Sequence, residues 1–147
     1  MNPTHILNTS KQFFLAARRA DEQRIIGGAQ FEWLPVPAIV CAAFSIELAL
    51  KAIILAETGN GANGHKLDDL YAELSGASQQ KVAAAVTVPT YPKVPDVTET
   101  FDTALAKIRN AFIEWRYIHE KTDWTSIDRI FLMEVAEAVQ AAAATAV

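Results

Sequence analysis

The sequence predicts an all-α protein, an up-and-down bundle of about five or six helices. Three observations carry that reading. Apolar residues recur at helical spacing in segment after segment, each bounded by capping residues, Gly or Pro. No period-2 apolar alternation of useful length occurs anywhere in the chain. The 147 residues, half of them apolar and a fifth charged, amount to one globular domain able to bury a core without staples.

The first helix is expected from Thr4 to about Arg24, on a rough apolar stripe of Ile6, Leu7, Phe13, Phe14 and Ala17, with Gly27 and Gly28 ending the segment. The stretch "FEWLPVPAIV" then enters a second helix through Pro35 and Pro37, which a first turn tolerates. From Ile39 to Ala56 only Ser45, Glu47 and Lys51 are polar. A membrane span is disfavoured, because Glu47 and Lys51 would each cost about 2.5–3.5 kcal/mol near a bilayer centre. An apolar-all-round helix reads instead as the buried centre of the bundle.

Next comes "ETGNGANGHKL", a literal G-x-G-x-x-G in Gly59, Gly61 and Gly64. That fingerprint cradles a phosphate only when a strand feeds it, and here a helix does; the Gly-Lys-Ser/Thr ending of a P-loop is also missing. Gly59 is expected to be a helix C-cap and the rest a connector. Leu67, Leu70, Tyr71 and Leu74 then mark a short amphipathic helix, with Asp68 and Asp69 in its favoured first turn. Gly76 is expected to close it, and "SQQKVAAAV" to form another short helix. "VPTYPKVP" contains a formal PxxP and reads as a stiff internal linker. Asp96 and Glu99 offer a capping box for the longest helix, roughly Val97 to Lys121. The last helix, Trp124 to about Ala144, has Thr125 and Asp128 at capping-box spacing and Ile127, Ile130, Phe131, Val135 and Ala138 facing inward.

Composition narrows the function. Cys41 is alone in an apolar run, which gives a small buried hydrophobe and fits a reducing, cytoplasmic compartment. The first residues lack the basic-then-apolar layout of a signal peptide, and no membrane partner is expected. A net charge of −4 predicts no general grip on nucleic acid, so any RNA contact needs a local basic patch. The three histidines and one cysteine show no metal-ligand spacing, so no metal and no cofactor are expected. No Ser-His-Asp arrangement can be argued from spacing.

Two groups of polar residues stand out. At about 100° per residue, Phe101, Leu105, Ile108, Phe112, Trp115 and His119 fall within about 40° of one line, placing His119 on the core axis. Beside that stripe run Arg109, Arg116 and Glu120, where partial desolvation strengthens ion pairs and ligand contacts. On the buried helix, Glu47 and Lys51 are spaced i, i+4, acid first. Buried charges persist only when paired, and Arg116, Glu120 and His65 are candidate partners. The group serves either as a register-fixing network or as a polar pocket.

The segments "FSIELALKAIIL", "GHKLDDL" and "FIEWRYIHEK", in this order over about residues 44–120, resemble the HEPN-like superfamily. These are small helical domains of prokaryotes and higher eukaryotes, often coupled to nucleotidyltransferases, toxin–antitoxin pairs or antiphage systems. The resemblance implies an up-and-down bundle, a homodimer formed across the face bearing the polar motif, and, in many relatives, metal-independent RNase activity. The nuclease signature is an arginine followed after four to six residues by a histidine, and this chain departs from it. Phe112, Ile113 and Glu114 occupy the arginine positions before His119, and Thr58, Gly59 and Asn60 those before His65. Arg116 is too close to His119 and Arg109 too far. The expected function is therefore a non-catalytic module binding a nucleotide, RNA or a protein partner, in a toxin–antitoxin or antiphage locus. The alternatives are an RNase with a modified Arg116/His119 site at a dimer interface, and a structural dimeric subunit.

Overall fold

Asn2 starts the first helix by accepting hydrogen bonds from the amides of Thr4 and His5, with Pro3 at the first helical position where its missing N–H costs nothing. The computed structural model describes residues 1–89, 98–122 and 127–147. Helix α1 spans Pro3–Asp21 and is followed by two short antiparallel strands, β1 (Arg24–Ile26) and β2 (Gln30–Glu32). Arg24 is thus the start of a hairpin rather than the end of a helix. Gly27 and Gly28, with φ of 56° and 76°, make its turn in a left-handed region open to glycine. Three-residue strands are too short to leave a period-2 signal.

Helix α2 (Pro35–Thr58) begins at the two prolines and ends at Gly59, whose φ of 74° lets its N–H return to the Leu55 carbonyl. It is long and apolar enough to cross a membrane by length and composition, yet 72% of that stretch is buried inside the protein. Helices α3 (Leu67–Ala72) and α4 (Gly76–Ala84) follow. Gly76 opens α4 instead of closing α3: Ser75 is the N-cap, accepting from the Ser78 amide. Glu57, at the end of α2, accepts from the Ser75 amide and from both serine hydroxyls, tying the two helix ends together.

The predicted long helix is broken. Helix α5 runs Phe101–Lys107, α6 runs Ala111–Arg116, and a single 3₁₀ turn covers Ile118–Glu120. Its start is capped by a reciprocal Thr100–Thr103 box, not by Asp96, which lies with Val97 outside the described residues. Glu99 accepts from Lys107, which holds its carboxyl below the usual range. Helix α7 spans Arg129–Ala146 and is capped by Asp128, which accepts from the Phe131 amide. Trp124 and Thr125, proposed for that start, are also outside the described residues, as are Pro92 and Pro95 of the PxxP stretch. The break in the fifth helix brings the count to seven α-helices among the described residues.

Around α2 pack α1, α6 and α7, with α3 lying against it and against α5, and α4 against α7. Ile46, Leu50 and Ile53 of α2 meet Leu67, Leu70, Leu105, Leu132, Val135 and Val139 in one continuous core. Phe131, Val135 and Ala138 point inward as predicted, but Ile130 is 65% exposed. A buried polar contact sets the register of three helices. Ser10 Oγ of α1 donates to the Ser45 carbonyl of α2 at 2.6 Å, and Gln140 Nε2 of α7 donates to Ser10 Oγ.

Ser10→Ala should therefore cost about 1–3 kcal/mol, since it leaves the Gln140 amide buried without its acceptor. Adding Gln140→Leu should recover part of that loss in urea unfolding, because the stranded donor is then gone. Tyr71 supplies a second expectation. Burial, with the Asp102 charge adding to it, pushes its phenol up to about 12. The neutral phenol is the form the fold favours, so its contribution is intact below about pH 10 and lost as pH rises toward 12. Absorbance titration should show a late-ionising tyrosine that Tyr71→Phe removes.

Candidate polar–aromatic site on the central helix

The glycine loop delivers a histidine. After Gly59 ends α2, Gly64 turns the chain at φ 93°, and His65 comes back over the helix it has just left. No strand feeds this loop, which joins α2 to α3. His65 Nδ1 lies 2.9 Å from Glu47 Oε1, and Lys51 Nζ donates to the same oxygen at 2.8 Å. Glu47 is 2% exposed, Lys51 19% and His65 55%, so a carboxylate at the core is linked to an imidazole at the surface. Because a carboxylate only accepts, the Nδ1 nitrogen carries the proton in this contact. In the neutral ring the Nε2 nitrogen then keeps its lone pair free. Glu47 Oε2 is buried and has no hydrogen-bond partner. Of the partners proposed for this pair, His65 is the one found. Arg116 and Glu120 make no contact with it among the described residues.

Beside this cluster runs a row of half-buried rings. Phe13 of α1 meets Phe44 of α2 edge-on, with centroids 4.6 Å apart, and Phe44 stacks on Phe112 of α6 at 4.7 Å. The His65 ring and the Arg116 guanidinium both lie within 6.4 Å of the Phe112 centroid. Arg116 also sits 4.6 Å from the centroid of Tyr117. The guanidinium is exposed, rests on two aromatic rings, and has no acidic partner among the described residues. Its five N–H groups can thus receive an incoming anion through two parallel hydrogen bonds.

The charged strip predicted beside the core is dispersed. Arg109 ties the break before α6 to the first turn of α3. Its Nη2 donates to Asp69 at 3.3 Å, and its Nε lies 3.2 Å from Asp68 without the alignment of a hydrogen bond. The Leu67 amide bonds to the Arg109 carbonyl as well. Arg109 is a structural clamp. His119 is 72% exposed, not on the core axis, and its nearest charge is the equally exposed Glu120 at 3.8 Å. The 3₁₀ turn explains this. Its 120° per residue shifts the phase, so Ile118 packs against the core where the α-helical wheel had placed His119. Arg116 and His119 share no contact among the described residues, so they do not form a joint site.

Sequence reasoning missed Phe13, Phe44, Phe112 and Tyr117. The available signal was local: Phe112 and Arg116 are spaced i, i+4 on one helix face. Cys41, about one turn before Phe44, is half-buried rather than the fully buried hydrophobe expected, and its partial burial pushes its thiol up. Among the described residues no group of three or more His, Cys, Asp or Glu side chains is placed to hold a metal ion.

Fold and site together define an all-α bundle whose central helix carries a Glu–Lys–His cluster opening onto an aromatic and cationic face. No protein-family model, curated protein or solved structure matches the chain.

Removing one partner of a buried ion pair typically costs about 3–5 kcal/mol. Glu47→Ala, with Lys51 19% exposed, should fall near the lower end. His119→Ala should leave unfolding unchanged. A Glu47→Ala protein as stable in urea as the parent would show that the cluster does not hold the loop to the helix.

Proposed function

We propose that the chain is a non-catalytic HEPN-like module that binds a nucleotide or single-stranded RNA on the face made by His65, Phe112, Arg116 and Tyr117. The observation that carries this reading is Arg116, an exposed guanidinium with no acidic partner among the described residues, laid across two aromatic rings. Such an arrangement suits a phosphate held by the guanidinium and a base stacked on a ring. The nearby His65 Nε2 adds an acceptor for a ribose hydroxyl or an exocyclic amine. The resemblance supports the same face. Phe44 and Glu47 come from the first of its three segments, His65 from the second, and Phe112 and Arg116 from the third, and the fold gathers them in one place. The expected setting is a toxin–antitoxin or antiphage locus.

With a net charge of −4, the rest of the surface offers little help, so binding should involve one or two phosphates and show a correspondingly shallow salt dependence. Fluorescence anisotropy with labelled single-stranded RNA, with ATP as competitor, tests this. Arg116→Ala should weaken binding about tenfold or more, a loss of roughly 1.4 kcal/mol, with the helical circular dichroism unchanged. His119→Ala should bind like the parent. Binding that survives Arg116→Ala, or no binding by the parent, would overturn the reading, and the second outcome would leave a protein partner as the better candidate.

The Glu47–His65 contact favours one second reading, metal-independent RNA cleavage. There His65 Nε2, not His119, would take the proton from a 2′-hydroxyl while Arg116 steadied the charge growing on the phosphorane. The 2′-oxygen would form a bond to phosphorus as the 5′-oxygen left, protonated by water. Cleavage in the presence of EDTA that is lost in both His65→Ala and Arg116→Ala would replace binding with catalysis. We expect none.

A further inference from the structure

Helices α1 and α7 run antiparallel and are fixed at two points. Gln140 reaches Ser10 in the core, and Arg129 pairs with Asp21 at the other end. Both helices rise about 1.5 Å per residue, so the stretch from Phe14 to Arg18 lies opposite the stretch from Leu132 to Ala136. Between the two helices opens a cleft of about 280 Å³, with apolar walls of Phe14, Ile130 and Met133. That volume is just below the roughly 300 Å³ at which pockets for drug-sized ligands begin, so the cleft suits a small molecule.

Three carboxylates and two guanidiniums line this cleft, and most are already committed. Asp21 and Arg129 hold each other, and Arg129 also lies 5.4 Å from the Trp33 ring centroid. Glu134 accepts the Thr87 amide with one oxygen. Two groups are left over. Arg18 lies over the Phe14 ring, 5.9 Å from its centroid, and Glu137 stands on the other helix, about one turn beyond Glu134. Neither has a hydrogen bond or an ion pair among the described residues, and they do not pair with each other although one cleft holds both. A molecule that carries both charges can bridge them.

The excess of acid decides what is refused. A simple carboxylic acid or a phosphate would find Arg18 but meet three carboxylates of its own sign. An ammonium is favoured, because Glu134 and Glu137 are i, i+3 neighbours on one helix face and can share its three donors. We infer that the cleft binds a free α-amino acid with an apolar side chain. The ligand's carboxylate takes the Arg18 guanidinium, its ammonium bridges Glu134 and Glu137, and its side chain lies on Phe14, Ile130 and Met133. That side chain also covers Ile130, which the bundle leaves 65% exposed. The site shares no residue with the His65–Arg116 face and does not depend on what that face binds.

Isothermal titration of the full chain with leucine, methionine and phenylalanine, beside the N-acetyl and amide form of each, tests the inference. At least one free amino acid should give a saturating isotherm. Its two blocked forms, each lacking one charge, should bind about tenfold more weakly or worse. Arg18→Gln should bring the free amino acid down to the level of its amide, and Glu137→Gln should narrow its advantage over the N-acetyl form. Both side chains lie at the surface, so the helical circular dichroism of the variants should match the parent. No saturable binding of any of the three amino acids, a blocked form that binds as well as the free one, or an Arg18→Gln protein that still prefers the free acid to the amide would each overturn it.

Discussion

A helix of 24 residues with apolar side chains on every side has no face to offer water, so the rest of the chain must enclose it. That requirement explains the arrangement of the bundle. Helices α1, α6 and α7 pack directly on α2, and the shorter helices fill in around them. Enclosure is incomplete along one stripe, where Val40, Cys41, Phe44, Leu48 and Lys51 stay half-buried at helical spacing. The aromatic row and the Glu47 cluster both lie beside this gap. The candidate site is therefore the place where the covering of α2 is left open, and there Glu47 is held by Lys51 of its own helix and by His65 from outside it.

Much of this was legible because it is local. Prolines starting α2, a left-handed glycine ending it, and an acid and a lysine one turn apart on an otherwise apolar helix each have one ready physical interpretation. The glycine loop was legible too, by elimination: with a helix upstream it could not cradle a phosphate in the dinucleotide-binding manner. What it does do, returning His65 to Glu47, depends on where the chain lands eighteen residues on. The break at Ile108–Asn110 and the 3₁₀ turn at Ile118–Glu120 were not legible, since the apolar spacing runs through both. A wheel drawn over the whole segment assumes one continuous helix. The first break leaves the inward phase in place, so Ile108 before it and Trp115 after it are both buried, whereas the tighter 3₁₀ turn carries His119 outward. The aromatic row escaped for another reason: Phe13, Phe44 and Phe112 come from three helices, and no spacing along the chain encodes their contact.

The same break sorted two arginines that the sequence had treated alike. Arg109 falls at the interruption, where its carbonyl receives the Leu67 amide and its side chain finds Asp68 and Asp69. Arg116 falls at the end of α6, at a helix C-terminus that favours a cation, and finds only rings. An arginine between two carboxylates has its charge balanced. One lying on aromatic faces keeps its charge and its donors for a ligand. Position relative to a helix end, more than residue type, decides which of them can bind.

Glu47 joins the stability of the fold to the chemistry of the site. Its carboxylate is buried enough to need Lys51 and His65, and His65 is exposed enough to meet a ligand. Any anion drawn toward His65 therefore competes, through one imidazole, with the carboxylate that orients it. A ligand that offers the Nε2 nitrogen a donor strengthens the Nδ1 contact with Glu47, whereas one that demands a proton from Nε2 calls for the imidazolium. Arg116 has no such tie to the core. The face thus has one half fixed by the interior and one half free to adapt, and a phosphate fits the free half, leaving the fixed half to read the neutral polar groups of whatever carries it.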